Sequence, residues 1–151
     1  MWHRIFCRGD ERLAPAAFLE HLHSSGLAVE TDFRGDDLGW TTAVMRLGTG
    51  SPVYIERYRV QEDDLRDDLN SWAAFLETCD YSPNHDMLME RVIQTRQLIT
   101  LRKPIDHSDE VGIDKLCLAI CRFLAANADG IYQIDDDGWY TANGELLLKE
   151  Y

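Results

Sequence analysis

The sequence predicts one α+β domain over residues 1–151, with about four helices packed over one face of a mainly antiparallel (mixed) sheet. Three observations carry that prediction. The chain has 151 residues, 45% of them hydrophobic and 28% charged, enough to bury one continuous core without disulfide staples. Apolar patterns of period two and period 3.6 follow one another in the order β-α-β-β-β-α-α-β-α-β-β-β, unlike the regular alternation of a parallel doubly wound sheet. Residues 130–151 carry turn signals spaced for a C-terminal three-strand meander. Neither an internal repeat nor a Pro/Gly-rich linker marks a second domain.

The elements follow in order. Trp2 to Arg8 reads as a short strand broken by Gly9-Asp10. Pro15 suits a first helical turn, Phe18, Leu19 and Leu22 form the stripe of a helix from Ala14 to Ser24, and Gly26 sits where a left-handed cap stops it. Leu27, Val29, Thr31 and Phe33 alternate with Ala28, Glu30 and Asp32, the pattern of a strand with one wet side. The turns Gly35-Asp36-Asp37 and Gly48 to Pro52 lead into strands Trp40 to Leu47 and Val53 to Arg59. A split arrangement, with the first strand inserted beside a later one, is compatible with this order.

From Glu62 the period changes. Leu65, Leu69, Trp72 and Leu76 recur at helical spacing, with Asp64, Asp67, Asp68 and Ser71 on the opposite side and its flank. Tyr81-Ser82-Pro83 ends this helix, and Pro83 opens another whose stripe is Leu88, Met89, Val92 and Ile93. Leu98 to Leu101 reads as a brief buried strand. The longest helical pattern runs from Asp109 to Ala128 through Ile113, Leu116, Cys117, Ile120, Cys121 and Leu124. Strands at Ile131 to Ile134, Trp139 to Thr141 and Glu145 to Tyr151 are divided by Asp135 to Gly138 and by Asn143-Gly144, whose residues accept positive φ.

A net charge of −12 disfavours nucleic acid and anionic lipid as partners and leaves room for a basic protein. No window approaches a membrane span, and the N-terminus lacks the apolar run of a secretory leader, so a cytoplasmic location is expected. Cys7, Cys79, Cys117 and Cys121 lack the spacing of a disulfide framework and read as free thiols.

Candidate chemistry is sparse. Asp135, Asp137 and Gly138 match three positions of a calcium loop, but Gln133 and Gly144 stand where its first and last ligands belong, and the flanks read as strands. Cys117 and Cys121 lie one helical turn apart on an apolar stripe, as core thiols do. The segment Cys79 to Asp86 gathers Cys, Ser, His and Asp, yet Cys79 follows the acidic helix end beside Glu77 and Asp80, where thiolate is suppressed. His21 and His23 fall about 200° apart on a helix and share no face. The two Arg-Gly-Asp triplets read as turns. No phosphate loop, nucleophile elbow or paired-histidine zinc helix occurs, and no cofactor is expected.

The remaining feature is acidic. Between Val60 and Asp80 seven acids stand against Arg66 alone, a local charge of −6 and half the net charge of −12. The sequence therefore predicts a non-enzymatic interaction module, an inhibitor- or immunity-like or regulatory protein, that meets a basic partner through Asp63, Asp64, Asp67 and Asp68. Trp40, Tyr54, Tyr58, Trp139 and Tyr140 are its candidate aromatic anchors. The competing expectation is a small enzyme whose Asp, Glu and His groups meet only on folding. Edge-to-edge pairing of copies into a homo-oligomer is compatible with both.

Overall fold

A computed structural model describes residues 1–61, 64–105 and 110–151. The elements are β1 (Trp2–Cys7), α1 (Pro15–Ser24), β2 (Val29–Asp36), β3 (Gly39–Leu47), β4 (Val53–Arg59), α2 (Arg66–Glu77), α3 (His85–Ile93), β5 (Gln97–Arg102), α4 (Glu110–Asn127), β6 (Gly130–Ile134), β7 (Gly138–Thr141) and β8 (Leu146–Lys149). All eight strands join one sheet in the order β2-β3-β4-β5-β1-β6-β7-β8. Every pairing in it is antiparallel, so the sheet is not mixed.

The centre of the sheet is the first strand. β1 lies between β5 and β6, with Ile5 opposite Ile99 on one side and Tyr132 on the other. It is thus inserted beside later strands, antiparallel to both neighbours. Two meanders extend outward, β4-β3-β2 to one edge and β6-β7-β8 to the other.

The helices cover both faces of the sheet, not one. Ile5, Cys7, Ile99, Leu101, Tyr132 and Ile134 pack with α1 and α4. The alternate residues Phe6, Leu98, Ile131 and Trp139 pack with α2 and α3. Successive strand side chains point to opposite sides, so these are two separate cores with the sheet between them. Strands that are covered twice read as continuous apolar runs, and Ile5-Phe6-Cys7 and Leu98-Ile99 are such runs. β2 to β4 keep the period-two pattern, because there only the α1/α4 side is deeply covered and Tyr54 and Glu56 look outward.

Burial explains the rest of the architecture. α4 buries Ile113, Leu116, Cys117, Ile120, Cys121, Leu124 and Ala125, which makes it the main cover of its side. α1 closes its C-terminus with Gly26 at φ +81, and α1 and α4 meet where Phe18 packs on Phe123 at 4.9 Å. On the opposite side Trp139, fully buried, stacks on Phe6 at 5.1 Å and meets the edge of Trp72 at 5.7 Å. Each such aromatic contact adds to area burial by about 1 kcal/mol.

Candidate functional site

The acidic segment splits on folding. α2 turns Leu69, Ala73 and Leu76 into the core and leaves Asp67 and Asp68 exposed in its first turn, where the positive end of the helix dipole stabilises them. Asp64 precedes the helix and is also exposed. Asp63 lies outside the described residues. Among the described residues, Asp64, Asp67 and Asp68 form no ion pair, so their charge faces solvent uncompensated.

Asp64 and Asp68, but not Asp67, border a cleft of about 590 Å³ between the start of α2 and the sheet. Glu56 of β4 adds a third carboxylate to its wall, and Trp2, Tyr58 and Trp72 supply the aromatic surface. The Tyr58 hydroxyl donates to the Glu56 carboxylate. Trp72 is held from beneath by Trp139, so its position is set by core packing.

One cation already occupies this surface. The Arg4 guanidinium lies 4.7 Å from the centre of the Trp72 ring. Its Nη1 donates to Gln133 Oε1 at 3.0 Å and to the Asp135 carboxylate. Burial pushes the Asp135 carboxyl up, but the bonds from Arg4 and Gln133 outweigh it and hold that carboxyl below its ordinary value. The network continues through Gln133 to Glu150, which also accepts from Trp139 Nε1 at 3.1 Å. Glu150 responds the other way: half-buried, it is pushed above the ordinary carboxylate range by desolvation. With Arg4 answered by Asp135, the charge left on the cleft among the described residues is that of Glu56, Asp64 and Asp68.

No known family model matches the chain, and no curated protein or solved structure matches it either. The reading of the site therefore rests on its own geometry.

The other sequence candidates are placed as follows by the fold. Cys79 is buried, with its thiol 3.5 Å from the Phe75 carbonyl, and His85 Nε2 lies 3.6 Å from the Asp86 carboxylate. The same segment docks on β8: Tyr81 Oη donates to the Lys149 carbonyl at 2.7 Å, and Ser82 Oγ and Asn84 Nδ2 to the Leu147 carbonyl at 3.2 and 2.7 Å. All four cysteines are free and buried, and burial pushes the Cys7 and Cys117 thiols up to about 12. Asp135 to Gly138 forms the β6–β7 hairpin turn with Asp136 at φ +60, and Asp135 is engaged by Arg4. Among the described residues no group of three or more His, Cys, Asp or Glu side chains is arranged to hold a metal.

Of the candidate anchors, Tyr58 lines the acidic cleft, Trp139 supports it from the core and Tyr54 is exposed, beneath Arg102. Trp40 and Tyr140 pack with the α1/α4 core.

Sequence reasoning missed a second cleft. On the α1/α4 side, Arg12, Arg57, Arg59 and Arg96 line a pocket of about 370 Å³ together with Gln61, Gln97 and Asp10. β4 supplies Arg57 and Arg59, β5 supplies Gln97, and the connection from β1 to α1 supplies Asp10 and Arg12. Gly39, at φ +117, lies beside it: a Cβ there would meet Arg57 Nη1 at 3.4 Å. The one local signal is the alternation Arg57-Tyr58-Arg59, which places two arginines on the same side of a strand.

Proposed function

We propose that the protein is a non-enzymatic interaction module that receives a basic segment of a protein partner in the cleft at the start of α2. The observation that carries this reading is the pairing of the exposed carboxylates of Glu56, Asp64 and Asp68 with the rings of Trp2, Tyr58 and Trp72 in one cleft. A lysine or arginine side chain entering it meets carboxylates that form charge-assisted hydrogen bonds and ring faces that attract a cation. Arg4 over Trp72 is an internal example of the second contact. Phe75, 38% exposed on α2 and edge-on to Trp72 at 5.8 Å, adds apolar surface next to the cleft's ring, as interface anchors do. The net charge of −12 accelerates encounter with a basic partner over distances of about a Debye length.

The test is capture of partners from native lysate by the tagged protein at low and at high salt, beside a variant carrying Asp64→Asn, Asp67→Asn and Asp68→Asn. The expected result is a stoichiometric basic protein that is held at low salt, released at high salt and absent from the variant. A partner held equally by both proteins, or none at either salt, overturns the reading.

A further inference from the structure

The pocket on the α1/α4 side has the chemistry opposite to that of the acidic cleft, and it is built around a buried charge. Arg57 is 4% exposed. Its Nε donates to Gln97 Oε1 at 2.7 Å, its Nη1 donates to the Trp40 carbonyl at 3.2 Å, and its guanidinium carbon lies 5.9 Å from the centre of the Trp40 ring. Gln97, itself 1% exposed, is fixed by donating Nε2 to the Gly9 carbonyl at 2.9 Å and the Glu11 carbonyl at 3.3 Å. All of these partners are neutral. Among the described residues no carboxylate reaches ion-pair distance of Arg57.

Of the other three arginines around it, Arg59 is largely covered and Arg96 and Arg12 are exposed. Arg59 pairs with Asp36 at 3.2 Å, Arg96 pairs with Asp10 at 3.4 Å at the surface, and Arg12 donates Nη1 to the Asp37 carbonyl at 3.2 Å. Among the described residues, four guanidinium groups and one carboxylate thus line the pocket. Burial lowers the Arg57 pKa and the neighbouring charge of Arg59 lowers it further, yet a guanidinium stays protonated in water-exposed proteins at neutral pH. Like charges gathered around a desolvated cation destabilise the empty pocket, and a bound anion relieves that repulsion. The guanidinium fork matches the paired oxygens of phosphate and carboxylate groups.

We propose that the pocket lined by Arg12, Arg57, Arg59 and Arg96 binds a small oxyanionic ligand, one carrying phosphate or several carboxylate groups. The volume of about 370 Å³ falls at the small end of ligand pockets. The surrounding net charge of −12 turns away long polyanions such as nucleic acid, whose phosphates extend beyond the pocket. This site stands apart from the α2 cleft, because Arg57 and Arg59 point to the opposite side of β4 from Glu56 and Tyr58.

Isothermal titration calorimetry with inorganic pyrophosphate in one arm and citrate in the other tests the proposal. The expected result is saturable binding with a Kd of about 1 mM or tighter for at least one probe. The double variant Arg12→Gln, Arg96→Gln, whose side chains are exposed, is expected to keep its fold by circular dichroism and to weaken that binding about tenfold or more. Saturation by pyrophosphate alone assigns the site to phosphate, by citrate alone to carboxylates, and by both to their shared oxyanion chemistry. No saturable heat with either probe, or equal affinity in the folded double variant, overturns the proposal. The acidic cleft is untouched by these substitutions, so failure here leaves the reading of α2 standing.

Discussion

The two sides of the sheet differ in how the charges that define their clefts are placed: exposed on α2, buried at Arg57. On the α2/α3 side the aromatic stack of Phe6, Trp72 and Trp139 lies beneath the α2 acids, which stay in solvent, and beside a bonded chain of Arg4, Gln133 and the half-buried Glu150. On the α1/α4 side polar groups are themselves buried: His3, Arg57 and Gln97 are each 4% exposed or less, each inside a largely apolar layer. The difference teaches where charge enters the stability of this fold. Solvated acids change association and leave the fold nearly untouched, whereas buried polar groups act on the folded state directly.

The largest expected effect breaks the aromatic side. Trp139→Ala removes a fully buried ring and is expected to lower unfolding free energy by about 3–5 kcal/mol in urea denaturation. A loss below about 1 kcal/mol would mean that the α2/α3 core closes the gap by itself.

The next effect belongs to the buried polar side and is read by pH. Desolvation first, then the positive charge of Lys103, lowers the His3 pKa from its ordinary 6.5 to about 4, with Asp114 and Asp135 opposing. The folded pKa is below the unfolded one, so between the two values the unfolded chain takes up the proton and the folded chain does not. Stability from His3 is therefore complete above about 6.5 and is lost as pH falls towards 4. The full loss is roughly 3 kcal/mol. Urea midpoints measured at neutral and at mildly acidic pH are expected to fall more steeply for the wild type than for His3→Gln. Parallel profiles would remove His3 as the source of the acid sensitivity.

The smallest effect sharpens the comparison from the exposed side. Asp64→Asn with Asp68→Asn is expected to change stability by about 0.5 kcal/mol or less, since exposed charges just before and within a first helical turn contribute only through the dipole and their mutual repulsion. A loss several times larger would make these acids part of the fold and not of an interface.

Much of this architecture was legible in the chain. β4 begins and ends at Val53 and Arg59, as its turns and alternation predict, and the stripe of α4 is buried as its spacing requires. β2 runs on to Asp36 instead of stopping at Phe33, because an irregularity between Arg34 and Gly35 absorbs the residues that resemble a turn. Covering of both faces was harder to see. Its signal is the short continuous run Ile5-Phe6-Cys7, which periodicity alone does not distinguish from a strand buried on one side. The acids on α2 are close in sequence, so their cluster was visible before folding. The arginines come from three separate stretches of an acidic chain, at positions 12, 57 to 59 and 96, and only the pairing of β4 with β5 and the return of the loop after β1 unites them.

The docking of Tyr81, Ser82 and Asn84 on β8 also limits how copies of the chain can join. A strand adding at that edge must displace their side-chain hydrogen bonds to the Leu147 and Lys149 carbonyls and the segment that supplies them. Among the described residues no comparable segment docks on the opposite edge, β2, whose Glu30, Asp32 and Arg34 set charges along it. A sheet needs two adhesive edges to polymerise and only one to pair. With one edge fastened in this way, edge-to-edge growth of the sheet would stop at two copies, and the short segment that holds the last strand stands against fibre extension at that edge.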